Sequence, residues 1–100
     1  MVISMKDFGA SLGTRVAGRS AYDDIMTKSG QLTEPVVFDF SGVTTITNSF
    51  ADEVFGRMVS EIGMVEMRSR TSFRGVDPFW ARIIRSAMDR RESSRETVTA

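Results

Sequence analysis

The sequence predicts an α/β domain, with a small, mostly parallel or mixed sheet in which strands and helices alternate. Three observations lead there. Short apolar runs rich in β-branched and aromatic residues alternate with longer segments whose apolar residues recur at helical spacing. Capping and stop residues fall between these segments. The chain has 100 residues, 41% of them hydrophobic, the length and composition of one globular domain. Strand–helix–strand alternation implies parallel pairing through right-handed crossovers.

Residues 2–8 suit a first strand, with Val2, Ile3, Met5 and Phe8 among polar neighbours. Gly9-Ala10-Ser11-Leu12-Gly13 is a glycine-bracketed loop, and Thr14 can cap a helix by accepting from its free N–H groups. Val16, Ala17, Ala21 and Ile25 form that helix's apolar face, with Tyr22 and Met26 beside it. Ser29-Gly30 ends it. Val36-Val37-Phe38-Asp39-Phe40 follows Pro35 and reads as an interior strand covered on both faces. After the Ser41-Gly42 break, residues 43–48 carry the chain to Ser49, the expected N-cap, with Asp52 completing an acidic capping box. Phe50, Ala51, Val54, Phe55, Met58 and Ile62 make the stripe of the second helix, which Gly63 stops. Met64-Val65-Glu66-Met67-Arg68 alternates and predicts a third, half-exposed strand. Ser69 to Val76 reads as a basic loop. Asp77 caps the last helix and Pro78 occupies its first position. Phe79, Ile83 and Ala87 form one row of it and Trp80, Ile84 and Met88 the next. Residues 1–90 read as a single domain and 91–100 as a polar, flexible tail.

Composition excludes several chemistries. There is no cysteine and no histidine, so disulfides, thiol nucleophiles, a histidine-based triad and the usual zinc ligands are absent from the chain. No cofactor or metal is implied. Thirteen basic and thirteen acidic groups give zero net charge, without the field that marks a nucleic-acid or membrane binder. The start has neither the basic flank nor the apolar run of a signal peptide, and no apolar stretch approaches the ~20 residues of a membrane span. A cytoplasmic protein is expected.

In parallel sheets, ligand sites gather at the carboxyl ends of the strands. The loops expected there (9–15, 41–49 and 69–77) offer Ser11, Thr14, Arg15, Ser41, Asn48, Ser49, Arg70 and Arg74. This set is rich in hydroxyls and arginines and poor in bases. Asp39 is the one carboxylate at a strand end, and it has no visible nucleophile or base beside it, so an enzyme is not expected.

The run from Asp39-Phe40-Ser41-Gly42-Val43 to Ser49-Phe50-Ala51-Asp52-Glu53 resembles the signature of STAS domains, the fold of bacterial anti-sigma-factor antagonists. It is closer still to a STAS-like family of unknown function with an "Asp-Phe-x-Gly-Val … Phe-Ala-Asp-Glu" core. Leu12-Gly13-Thr14-Arg15 is similar to that family's turn before the first helix. The resemblance is good over residues 35–60 and weaker over 9–26. It implies a non-catalytic bacterial regulatory module that docks on an anti-sigma factor or a kinase of the histidine-kinase ATPase fold. Ser49 falls at the phosphoacceptor position. Thr47, Asn48 and Phe50 depart from the usual Asp, Ser and Gly, and Asp52 at i+3 would repel a phosphate on Ser49. A plain capping role for Ser49 is the alternative.

The contact surface implied is Asn48, Ser49, Phe50, Asp52 and Glu53 with Arg15, the residue that opens the first helix. Three readings of Arg15 stand side by side: an ion pair with Asp52 that locks the two helix starts together, a side chain left free to grip a partner, and a plain exposed arginine. Phe50 and Trp80 are the aromatics expected to be partly exposed and able to anchor a partner. The arginines from Arg68 to Arg95 read as a solvated face rather than a nucleic-acid site. A second function class is a small-ligand or phosphate/nucleotide-binding domain at the carboxyl edge of the sheet, although the Gly-x-x-x-x-Gly-Lys-Ser/Thr loop is absent.

Overall fold

The structure, a computed structural model, describes the backbone from Met1 to Thr99 and side chains as far as Arg95. Three strands, β1 (Val2–Ser4), β3 (Val36–Asp39) and β5 (Thr71–Arg74), form a parallel sheet in the order β1-β3-β5. A second, two-stranded parallel sheet joins β2 (Ser11–Leu12) to β4 (Thr45–Ile46). Helix α1 (Arg15–Lys28) connects β2 to β3. A continuous helix then runs through α2 (Asn48–Ala51), a π-helical segment (Asp52–Gly56) and α3 (Arg57–Ile62). Helices α4 (Met64–Arg70) and α5 (Pro78–Thr99) complete the chain.

The mixed α/β class and the parallel sheet agree with the sequence reading. The first strand does not run to residue 8. It stops at Ser4, and a 3-10 turn (Met5–Phe8) buries Met5 instead. The larger difference lies at 64–74, where a strand and then a loop were expected but α4 and then β5 are found. Met64 and Met67 sit one helical turn apart with Met67 fully buried, while Val65 is 80% exposed. A Glu66–Arg70 ion pair at 3.0 Å staples the turn. The Glu92 carboxylate accepts from the Met64 N–H at 3.1 Å and caps its start.

β3 is the central strand, but it is covered on one face only. Val36 and Phe38 are buried while Val37 and Asp39 are half-buried. The register places Ile3, Phe38 and Phe73 side by side on the helix-covered face, and Val2, Val37 and Ser72 on the other. Phe55 of the π-helical segment packs on the covered face, with ring centroids 5.1 Å from Phe38 and 5.3 Å from Phe73. Phe50, Val54, Phe55 and Met58 are fully buried, so the central helix is the molecule's core.

Two glycines let neighbouring helices approach that core helix. A Cβ on Gly18 of α1 would lie 2.9 Å from the Glu53 Cβ and 3.3 Å from the Phe50 carbonyl oxygen. A Cβ on Gly56 would lie 3.3 Å from the Ala87 carbonyl oxygen of α5. Helix α5 continues through the segment read as a polar tail, because Arg91 and Glu92 find partners in the central helix and α4.

Candidate functional site

The two helix starts lie side by side because the two-stranded sheet aligns the segments that lead into them. Ser11 pairs with Thr45 and Leu12 with Ile46. Each strand passes through a threonine into its helix. The Thr14 hydroxyl accepts from the Ala17 N–H at 3.0 Å, and the Thr47 hydroxyl accepts from the Phe50 N–H at 3.2 Å. Thr47 also donates to the Gly13 carbonyl at 2.9 Å, which ties one start to the other. The N-cap of the second start is therefore Thr47. Ser49, read from sequence as the cap, sits inside the first turn and is half-buried, next to exposed Asn48. The capping-box spacing pointed to Ser49 because residues 43–48, Thr47 among them, were read as a connection leading up to the helix.

Below these starts lies a closed ion network. An Arg15 guanidinium nitrogen sits 2.8 Å from Asp52 and 3.2 Å from Glu53, the lock between the two starts. Arg91 of α5 donates to both Asp52 oxygens, at 2.7 and 2.8 Å, and to the Ser60 hydroxyl at 3.2 Å. Arg19 and Arg57 approach Glu53 at 3.4 and 3.8 Å. Arg91 was invisible as a partner from sequence because it lay in the expected tail. Its hydrogen bonds, with those of Arg15, outweigh burial and hold the Asp52 carboxyl down at about 2. Glu53 is buried at 7% exposure. It is thus an internal strut of the network rather than a surface contact.

Phe50 corrects the sequence reading most clearly. It is 0% exposed and belongs to the core, so it cannot anchor a partner. Its side chain turns inward because residue 50 shares a helical face with Val54. Trp80 is half-buried and packs edge-to-face on Phe79, with centroids 4.8 Å apart. Phe79 is the more exposed of the two, at 59%. Of the six residues expected to meet a partner, Arg15 and Asn48 are exposed, Ser49 and Asp52 are half-buried, and Phe50 and Glu53 are buried.

At the carboxyl edge of the main sheet, Asp39 is a hub. It accepts from the Ser41 N–H at 3.0 Å, the Ser41 hydroxyl at 2.8 Å and Arg74 at 3.1 Å. These bonds, the Ser41 pair foremost, lower its carboxyl to about 2. The sequence reading placed Ser41 and Arg74 at this edge and Asp39 at a strand end without a nucleophile or base beside it; the structure joins the three. A carboxylate held this acidic is a poor proton acceptor at neutral pH, and its geometry is that of an Asx turn. Arg70 is not at this edge. It ends α4, ahead of β5, and donates to the Leu32 carbonyl at 3.4 Å.

No described helix is long and apolar enough to cross a membrane, and no cluster of potential metal ligands occurs among the described residues. A family model described as a STAS-like domain of unknown function matches residues 17–78. No curated protein and no solved structure matches the chain.

Proposed function

The chain belongs to the STAS-like domains of unknown function, and we propose that it is a non-catalytic regulatory module that recognises a partner protein through its paired helix starts. One observation carries the reading: the two starts are held in fixed relation by β2–β4, by the Thr47–Gly13 bond and by the Arg15–Asp52 pair. A rigid polar surface formed by Arg15, Asn48 and Ser49 needs little reordering on binding, and preorganisation is worth affinity. The low carboxyls of Asp39 and Asp52 suit structural roles and not proton transfer at neutral pH. The partner class that the resemblance implies is an anti-sigma factor or kinase of the histidine-kinase ATPase fold, in a bacterial cytoplasm.

Ser49 is the residue on which such a partner would act. Its hydroxyl sits in the first turn, where the helix dipole favours added negative charge. Asp52 at i+3 is already neutralised by Arg15 and Arg91, which removes much of the like-charge objection to a phosphate there. A phosphoserine would add nearly two charges to the contact surface and compete with Asp52 for Arg15.

The test is capture from native extract with the tagged chain, comparing wild type with Asn48→Arg and Ser49→Glu, together with intact-mass analysis of the bait. An ATPase-fold protein held by wild type and lost by both variants is the expected result. Equal recovery by all three baits, with their folds intact by circular dichroism, would overturn the surface. A mass increase of one phosphoryl group that disappears in Ser49→Ala is expected once that partner and ATP are added. Thermal stabilisation by inorganic phosphate or a nucleotide alone would favour instead a ligand site at the sheet's carboxyl edge.

A further inference from the structure

The helical layer is wider than the sheet it covers. β5 is an edge strand, and beyond it the face of α5 continues as Ala81, Ile84 and Met88. Between them runs a cleft of about 260 Å³, lined also by Thr71, Phe73 and Val76. That is below the ~300–1,000 Å³ typical of small-molecule pockets, and the lining is largely apolar. Phe73 is 37% exposed at its floor. The cleft lies where the inward side chains of one more strand would go.

The backbone of β5 is ready for that strand. Asp39 registers with Arg74, and the Phe40 N–H donates to the Arg74 carbonyl at 2.9 Å. Residues 72 and 74 therefore turn their amides and carbonyls toward β3, and Phe73 turns its own N–H and carbonyl to the open edge. The Thr71 N–H is already used by the Met67 carbonyl at the end of α4. An open edge with a row of unpaired groups is a template for strand addition.

Charge identifies the occupant. Arg68 and Arg85 line the cleft and no acidic residue does. Among the described residues exposed Arg68 makes no ion pair, and Arg85 has only the exposed Asp89 at 3.7 Å. A second copy would bring its own Arg68 and Arg85 to the seam, so homotypic pairing is opposed by charge.

We propose that the β5 edge and the β5–α5 cleft receive an extended segment of another protein, one that alternates apolar and acidic residues and adds as a fourth strand. Its apolar side chains enter the cleft and its carboxylates meet Arg68 and Arg85. This surface shares no residue with the paired helix starts, so the proposal stands or falls separately from the function proposed above.

The test uses the full chain and a short labelled synthetic peptide that alternates Glu or Asp with Val or Leu. Fluorescence anisotropy measures binding, and hydrogen exchange reads the Phe73 amide. Saturable binding is expected, with slowed exchange at Phe73. Binding should weaken by about tenfold or more in Arg68→Glu/Arg85→Glu, whose charges stand at the rim, and in Ala81→Phe, which fills the cleft from an exposed position. Both variants should keep the wild-type circular dichroism. Absence of binding overturns the proposal. So does binding that leaves Phe73 exchange unchanged or ignores both variants. Self-association through β5 in sedimentation, or tighter binding of a single-stranded oligonucleotide that these arginine reversals abolish, would equally overturn it.

Discussion

Two residues after α1 hold a backbone that side chains disfavour. Gly30, Gln31 and Leu32 lie in the left-handed region in succession, at φ 59°, 58° and 64°, which costs a non-glycine residue roughly 1–2 kcal/mol. Leu32 is compensated by complete burial and by the Ser29 hydroxyl that accepts its N–H at 3.0 Å. Gln31 is exposed, and its N–H donates to the Met26 carbonyl at 2.7 Å, a backbone bond that glycine would keep. Gln31→Gly should therefore raise stability by about 0.5–1 kcal/mol once its greater unfolded-state entropy is counted, whereas Leu32→Gly should lower it by about 2–5 kcal/mol. Urea denaturation reads both. Asp52 gives a pH prediction with a definite sign. Its folded-state carboxyl titrates at about 2, below the ordinary ~3.9 of a free aspartate. Its stabilising contribution is present above about pH 4 and lost as pH falls through about 2. Acid titration of the melting temperature should show this loss in wild type and much less of it in Asp52→Asn. Arg91→Ala should cost about 1.5–3 kcal/mol by removing charge-assisted bonds to a mostly buried carboxylate. Arg15→Ala should cost less than about 1 kcal/mol, because that side chain is 54% exposed.

Elements differ in how plainly their residues declare them. β3 was legible because four strand-forming residues, Val36, Val37, Phe38 and Phe40, follow a proline within five positions. The central helix was legible because its apolar stripe persists for four turns. The stretch 64–74 was not legible: a five-residue window of Met, Val, Glu and Arg alternates by chance, and only the packing of Met67 and the Glu92 cap decide for helix. Candidate-site residues followed the same rule. Arg15 with Asp52 was readable from their places at two helix starts, and Arg74 from its place at the sheet's carboxyl edge, but Arg91 was hidden because it fell in the segment read as a tail. Close helix approach gives a prediction at this scale. An exposed helix-interior Gly→Ala gains up to about 1 kcal/mol. Gly18→Ala and Gly56→Ala should do the reverse and destabilise by about 1–3 kcal/mol, since the new methyl group meets backbone oxygens at 3.3 Å in both cases. Thermal denaturation of the two variants tests this.

For the molecule as a whole, the governing feature is a sheet with one covered face. Substitutions along β3 should alternate in cost. Phe38→Ala should lose about 3–5 kcal/mol, while Val37→Thr on the open face should lose less than about 1 kcal/mol. Chemical denaturation of the pair checks the layer arrangement directly. Phe50→Ala belongs with Phe38→Ala, at about 3–5 kcal/mol, and any binding it loses would report unfolding rather than a missing contact.

The same register carries a kinetic consequence. Val2 faces Val37 and Val37 faces Ser72, so each step across the main sheet spans an entire crossover, and no hairpin among the described residues can nucleate it. Sequence-distant pairings delay the transition state. Local helical turns should thus consolidate first and the ladder last, and pulse-labelling during refolding should find amides of the central helix shielded before those of β3.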